Sequence, residues 1–179
     1  AAAAAGATMV THLFNAQSQM QGREPGVVGA ALALGGLSAG LIADGIHVDP
    51  VSIGIALRAK QGPGHIFLVS DAMALAGSDR PDFMLNGRRV HREGGSLRLD
   101  DGTLAGADLT MDRALAYMHE RIGLPREEAL RMATLYPAEV AGLTDRGRLA
   151  PGLRADLVHL GDDLSVRGTW IGGERVFSA

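Results

Sequence analysis

The chain has 179 residues, enough to bury a sizeable core, and that length suits one domain or one domain with a small appendage. A formal net charge of -3 gives no electrostatic reason for a nucleic-acid or anionic-membrane partner, and zero cysteines exclude a disulfide framework, a zinc knuckle and a thiol nucleophile. The lack of cysteine fits a reducing cytoplasm, and Gly, Asp, His and Arg interrupt every apolar run before the roughly 20 residues of a membrane span.

The opening "AAAAAGATMV" has no initiator Met and lacks the basic and leucine-rich regions of a secretory signal, so it reads as a cut end. Its alanines suit the last turns of a helix, with Gly6 as the stop, leading into a strand over 8–11. That strand ends on Thr11-His12 and gives way to Asn15, Gln17, Ser18, Gln19 and the turn Arg23-Glu24-Pro25-Gly26. A Gly/Ala-rich helical segment follows over 27–37. The next apolar run, "AGLIADGIHVD", ends in Asp44 and His47 before a helix over 51–60, and a third, "HIFLVSDAMALAGS", ends at Asp71. Short continuous apolar strands alternating with helices indicate βαβ units and a parallel sheet buried on both faces. The intervals from His12 to His47 and from His47 to Asp71 bracket the roughly 30 residues of one such step. Polar groups therefore recur at the same end of three successive strands, where (β/α)8 barrels build their active sites.

Beyond Asp71 the pattern changes. Asn86-Gly87 and Asp101-Gly102 are hairpin signals flanked by short alternating segments. A helix is expected over 109–122 with Thr110 or Asp108 as its cap, a second over 125–133 with Pro in its first turn, and a short one over 138–143. The remainder reads as short strands divided by Gly and Asp162-Asp163 turns, a small β module. Three βα steps cannot close a barrel, which takes about 250 residues. The first strand would then present an unpaired apolar edge, so the expectation is that most of a barrel is missing.

Each polar residue has a bland reading beside the functional one. His12 is a metal ligand or a structural histidine; Asp71, a carboxylate ending a buried strand, is functional or caps the next segment. His47 and Asp44 are site residues or turn residues, and Arg23 is an anion binder or a solvated loop cation. Taken together, they lie where barrel chemistry occurs.

The segments "THLFNA", "GREPG", "ADGIHVD", "LVSDAMALAGS", "GTLAGADLTM", "MATLYPAEVAGL" and "GRLAPGLRADLV" carry a resemblance. In this order, over nearly the whole chain, they resemble the C-terminal half of the N-acetylglucosamine-6-phosphate deacetylase family of the amidohydrolase superfamily. The resemblance implies an α/β fold: the C-terminal part of a (β/α)8 metal-dependent hydrolase barrel followed by a small β module. Residues 1–145 would form that barrel portion, with a β-hairpin insertion near 82–106, and 146–179 would supply strands of a small β-sandwich domain. It implies hydrolysis of the acetamide of N-acetylglucosamine 6-phosphate to glucosamine 6-phosphate and acetate.

By the same resemblance, His12 matches a ligand of a divalent metal, zinc first, with iron or cobalt accepted by similar donors. Asp71 matches the catalytic carboxylate, general base toward a metal-activated water and then acid toward the leaving amine. Asn15 and Ala16 match sugar-phosphate contacts. Arg23 and His47 match a phosphate-binding pair, with Asp44, Gly45 and Ile46 on the same substrate-binding loop, and Leu104, Ala105 and Gly106 match a segment over the substrate. Gln17 departs from the family pattern, where Met is common. The other metal ligands, a glutamate and a second histidine, belong to earlier strands, so this chain alone is expected to be inactive with weak metal affinity. The expected partner is a small amino-sugar phosphate, with no nucleic acid and no membrane, in a cytoplasmic homodimer that shares its phosphate site. Two alternatives stay open: another amidohydrolase acting on a cyclic amide or nucleobase, which has no need of Arg23 and His47, and a non-catalytic fragment or assembly module.

Overall fold

Three short parallel strands organise the computed structural model, which describes residues 1–179. β1 (Met9–Val10), β2 (Ser38–Leu41) and β3 (Ile66–Leu68) pair in the order β1-β2-β3, with Met9 opposite Ser38 and Leu41 opposite Leu68. All of β2 is buried, as a central strand covered on both faces must be. The crossovers are α1 (Gly26–Ala33) and α2 (Pro50–Ala59), and they bury Val28, Leu32, Ile53 and Ala56 in one core with Leu41 and Ile42. α2 starts where the sequence signals it: Pro50 stands at its first position, and the Asp49 side chain accepts the Val51 N–H at 2.8 Å.

α1 stops at Ala33, short of the expected 37. Leu34 is extended, and the following glycines let two backbones meet, with Gly64 N–H bonded to Gly35 O at 2.6 Å. A Cβ on Gly35 would lie 2.2 Å from Gly62 O, so a continuing helix of ordinary residues has no room there.

Residues 82–107 form a separate antiparallel meander, β4 (Asp82–Leu85), β5 (Arg88–Glu93), β6 (Ser96–Leu99) and β7 (Leu104–Ala107), over a small core of Leu75, Val90, Leu97 and Leu99. Asn86-Gly87 and Asp101-Gly102 make two of its turns. Gly94-Gly95, both at positive φ, make a third that the hairpin expectation lacked, so the insertion has four strands. Arg92 ties the meander down by donating to the carbonyls of Leu75 and Ser78, and its Nε lies 2.8 Å from Asp108 Oδ2.

The expected helix over 109–122 divides into α3 (Met111–Ala116) and a π-helical turn over Tyr117–Arg121. Thr110 is the residue before α3, but its side chain makes no cap bond. α4 (Arg126–Ala133) and α5 (Leu135–Val140) pack against β3. α5 begins before the expected 138 because Pro137 sits in its first turn, where no N–H is needed. Under it, His65 and Tyr136 stack with centroids 3.8 Å apart, and Tyr136 Oη donates to Glu128 at 2.7 Å. Burial and that carboxylate push the Tyr136 hydroxyl up to about 12. The chain ends in one antiparallel sheet, β8 (Leu157–Leu160), β9 (Val166–Ile171) and β10 (Glu174–Ser178), in the order β10-β9-β8. No helix is long and apolar enough to cross a membrane.

Candidate active site

Parallel pairing places the C-terminal ends of β1, β2 and β3 along one edge, and the loops leaving that edge carry His12, Asp44 with His47, and Asp71. The first loop is anchored by buried Leu13, whose N–H bonds to Gly40 O at 2.7 Å. Around it His12, Phe14 and Ala16 take positive φ, as does Asp71 in the third loop. Such conformations cost of order 1–3 kcal/mol each for ordinary residues and persist only where the surroundings over-determine them. Here Gln17 supplies the bracing. Its Oε1 accepts from Phe14 N–H at 3.3 Å and its Nε2 donates to Thr11 O at 2.5 Å. Gln19 Nε2 adds a bond to Phe14 O at 2.6 Å. Asn15 spends an amide proton on Leu13 O at 3.3 Å, and Ala16 is exposed.

His12 is half-buried, and its Nδ1 is shielded from solvent without any hydrogen-bond partner. Unpaired buried polar atoms are uncommon enough to need a cause, and a missing ligand or neighbour is one.

The second loop is more tightly built. Asp44 Oδ1 accepts the N–H groups of Ile46 and His47, each at 2.9 Å, and Asp44 Oδ2 lies 2.6 Å from His47 Nδ1. The two side chains are 6% and 4% exposed respectively. Burial pushes the Asp44 carboxyl up, but the His47 ring and the two amides outweigh it and hold the group below its ordinary value. His47 Nε2 is buried with no partner. Gly45, at φ +75, lies under Tyr117, so that a Cβ there would stand 2.4 Å from Tyr117 Oη. Ile46 meets the β5–β6 turn, where a Cβ on Gly95 would lie 3.3 Å from Ile46 Cδ1. Ile46 also borders an open cleft of about 500 Å³ with Glu93, Gly94, Ser96, Arg98 and Gly102.

Asp71 itself is exposed. Its carbonyl accepts Ala107 N–H at 3.0 Å, and Ala72 bridges Ala107, so the meander's last strand is stitched to the turn that presents the carboxylate. Gly106 makes this possible: a Cβ there would stand 2.8 Å from Met73 Cγ and Sδ and 3.1 Å from Asp71 O. The segment Leu104, Ala105 and Gly106 therefore lies beside Asp71. Arg23 is exposed and makes no hydrogen bond or ion pair, and the structure does not join it to His47. Tyr117, Met73 and the bracing role of Gln17 were not among the residues singled out from sequence. The nearest signal to any of them was the departure from the family pattern at Gln17.

The amidohydrolase family model matches residues 1–176. The chain belongs to the amidohydrolase family. It is 44% identical to an N-acetylgalactosamine-6-phosphate deacetylase from Shewanella sp. (strain ANA-3), over 98% of this chain and 44% of that protein. It is 36% identical to an N-acetylglucosamine-6-phosphate deacetylase from Vibrio furnissii, over 100% of this chain and 45% of that one. The crystal structure of N-acetylglucosamine-6-phosphate deacetylase from Pasteurella multocida superposes with a TM-score of 0.92 at 36% identity, covering 97% of this chain and 46% of that one. The chain thus spans about half the length of these relatives, and the α/β amidohydrolase fold expected from its sequence is the fold it has.

Amidohydrolases are generally metal-dependent. The donor set of this chain does not complete such a site. His12 offers one imidazole, and no group of three His, Asp or Glu side chains in the chain is placed to hold a metal ion.

Proposed function

We propose that this amidohydrolase chain supplies one part of the active site of an amino-sugar-phosphate deacetylase, which hydrolyses the acetamide of N-acetylglucosamine 6-phosphate or its galactosamine counterpart. The observation that carries the reading is the common edge of the parallel sheet, where His12, His47 and Asp71 leave successive strands and β7 closes over Asp71.

An acetamide resists hydrolysis because its nitrogen leaves poorly until protonated. One exposed carboxylate serves both proton steps: Asp71 takes a proton as water adds to the carbonyl carbon, then delivers it to the nitrogen as the C–N bond breaks. The products are acetate and the free amine. Phosphate binding remote from that bond orients the amide, and Arg23 with His47 is the cationic pair assigned to it. His12 would give one donor to a divalent metal, zinc, iron or cobalt, and this chain places no complete donor set around it. On this reading the whole enzyme is a cytoplasmic homodimer, a state that suits a phosphate site in which Arg23 reaches a neighbouring subunit.

The test is a chimera in which these 179 residues replace the matching segment of the Shewanella deacetylase, assayed for acetate release. Turnover of both phosphorylated N-acetylhexosamines, with N-acetylglucosamine lacking phosphate lower in kcat/KM by at least tenfold, supports the reading. Equal turnover of the phosphate-free sugar would favour an amidohydrolase with a different substrate.

A further inference from the structure

Asp44 carries three hydrogen bonds inside its own turn and is 6% exposed, which leaves little of its carboxylate for a ligand. An ionised carboxylate only accepts, so the 2.6 Å contact requires the proton to sit on His47 Nδ1. We propose that Asp44 is a positioning residue: by holding Nδ1–H it fixes the His47 ring and leaves Nε2, buried and unpaired within the chain, as the one ring atom that can bond a substrate oxygen.

The turn is tightly packed: Tyr117 lies against Gly45, and the Gly94-Gly95 turn meets Ile46. The His47 side chain is 4% exposed, and Nε2 is the ring atom the chain leaves without a partner. The charged or titratable groups around this turn are Asp44, Asp49, Tyr117 and Arg121, with Glu93 and Arg98 across the cleft that Ile46 borders. With Nδ1–H held by Asp44, Nε2 is the one ring atom left to share a proton with a phosphate oxygen. The inference rests on the phosphate-binding role assigned above to His47.

Asp44→Asn isolates the effect. The amide oxygen can keep the two backbone bonds, while the NH2 group in place of Oδ2 donates to Nδ1 and forces the ring proton onto Nε2. Nitrogen-15 NMR of the His47 ring in the full chain, with and without inorganic phosphate, reads this directly. The expected result is a proton-bearing Nδ1 in the wild type, a phosphate-dependent shift confined to Nε2, and a bare Nδ1 in Asp44→Asn. A bare Nδ1 in the wild type, or an identical ring signature in Asp44→Asn, overturns the proposal. If the variant does not fold, the wild-type spectrum alone decides. A wild-type ring protonated on Nδ1 whose Nε2 ignores phosphate supports the positioning role of Asp44 and overturns the phosphate role of His47.

Discussion

The backbone N–H of Ala107 donates to the carbonyl of Asp71 at 3.0 Å, which fastens the meander to the turn that presents the candidate catalytic carboxylate. Gly106, the residue before it, allows that approach, since a Cβ would press on Met73 and on Asp71 O. Gly106→Ala is therefore expected to lower unfolding free energy by about 1–3 kcal/mol, the usual cost of overpacking, when measured by urea denaturation. The amide signals of 71–73 should move with it. A variant as stable as the wild type, with those signals in place, would contradict the close fit.

Gly45→Ala is expected to be worse than Tyr117→Phe. The new methyl group meets the tyrosine ring as well as its hydroxyl, and φ +75 strains any side chain there, so about 1–3 kcal/mol is expected. The Tyr117 hydroxyl makes no hydrogen bond in the chain, so its removal should cost little. Near-equal losses for the two variants in thermal unfolding would refute the packing argument.

The strand-end residues were legible because each ends a continuous apolar run, and such runs break on polar groups only where the chain leaves the core. His12, Asp44, His47 and Asp71 share that signature. The bracing of Phe14 by Gln17 was not legible, because a glutamine in a polar loop looks solvated until its two backbone bonds are seen. Nor was Tyr117 over Gly45: the π-helical turn has the apolar spacing of an ordinary helix, and no periodicity encodes a contact between such distant parts of the chain. The Gly94-Gly95 turn had a signal in its paired glycines, hidden between two stronger ones. α1 ended early for a tertiary reason, the backbone approach of Gly35 to Gly62 and Gly64.

Asp44 should contribute to acid stability with a definite sign. Its folded carboxyl lies below the unfolded value of 3.8, so its contribution is complete above about pH 4 and is lost as pH falls through the folded value. Wild type should exceed Asp44→Asn by about 1.5–3 kcal/mol at pH 7, the worth of hydrogen bonds to a charged group, with the gap closing below pH 4. Urea curves at several pH values measure it. A gap that persists undiminished at the lowest pH would show that the charge is not its source.

With no group of three ligating side chains placed to hold a metal ion, the chain by itself should bind zinc weakly and without fixed stoichiometry. Titration calorimetry is the check. Tight one-to-one binding that His12→Ala abolishes would mean that these residues assemble a metal site unaided.

The most direct measurement is acetate release from N-acetylglucosamine 6-phosphate by the chimera with the Shewanella deacetylase, compared with the same chimera carrying Asp71→Asn. With Asp71 moving the proton from water to the leaving nitrogen, the substitution should lower kcat by roughly 10²–10⁴ while leaving the fold intact by circular dichroism. A folded Asp71→Asn chimera that turns over at the parent rate would remove Asp71 from the chemistry and contradict the proposed site.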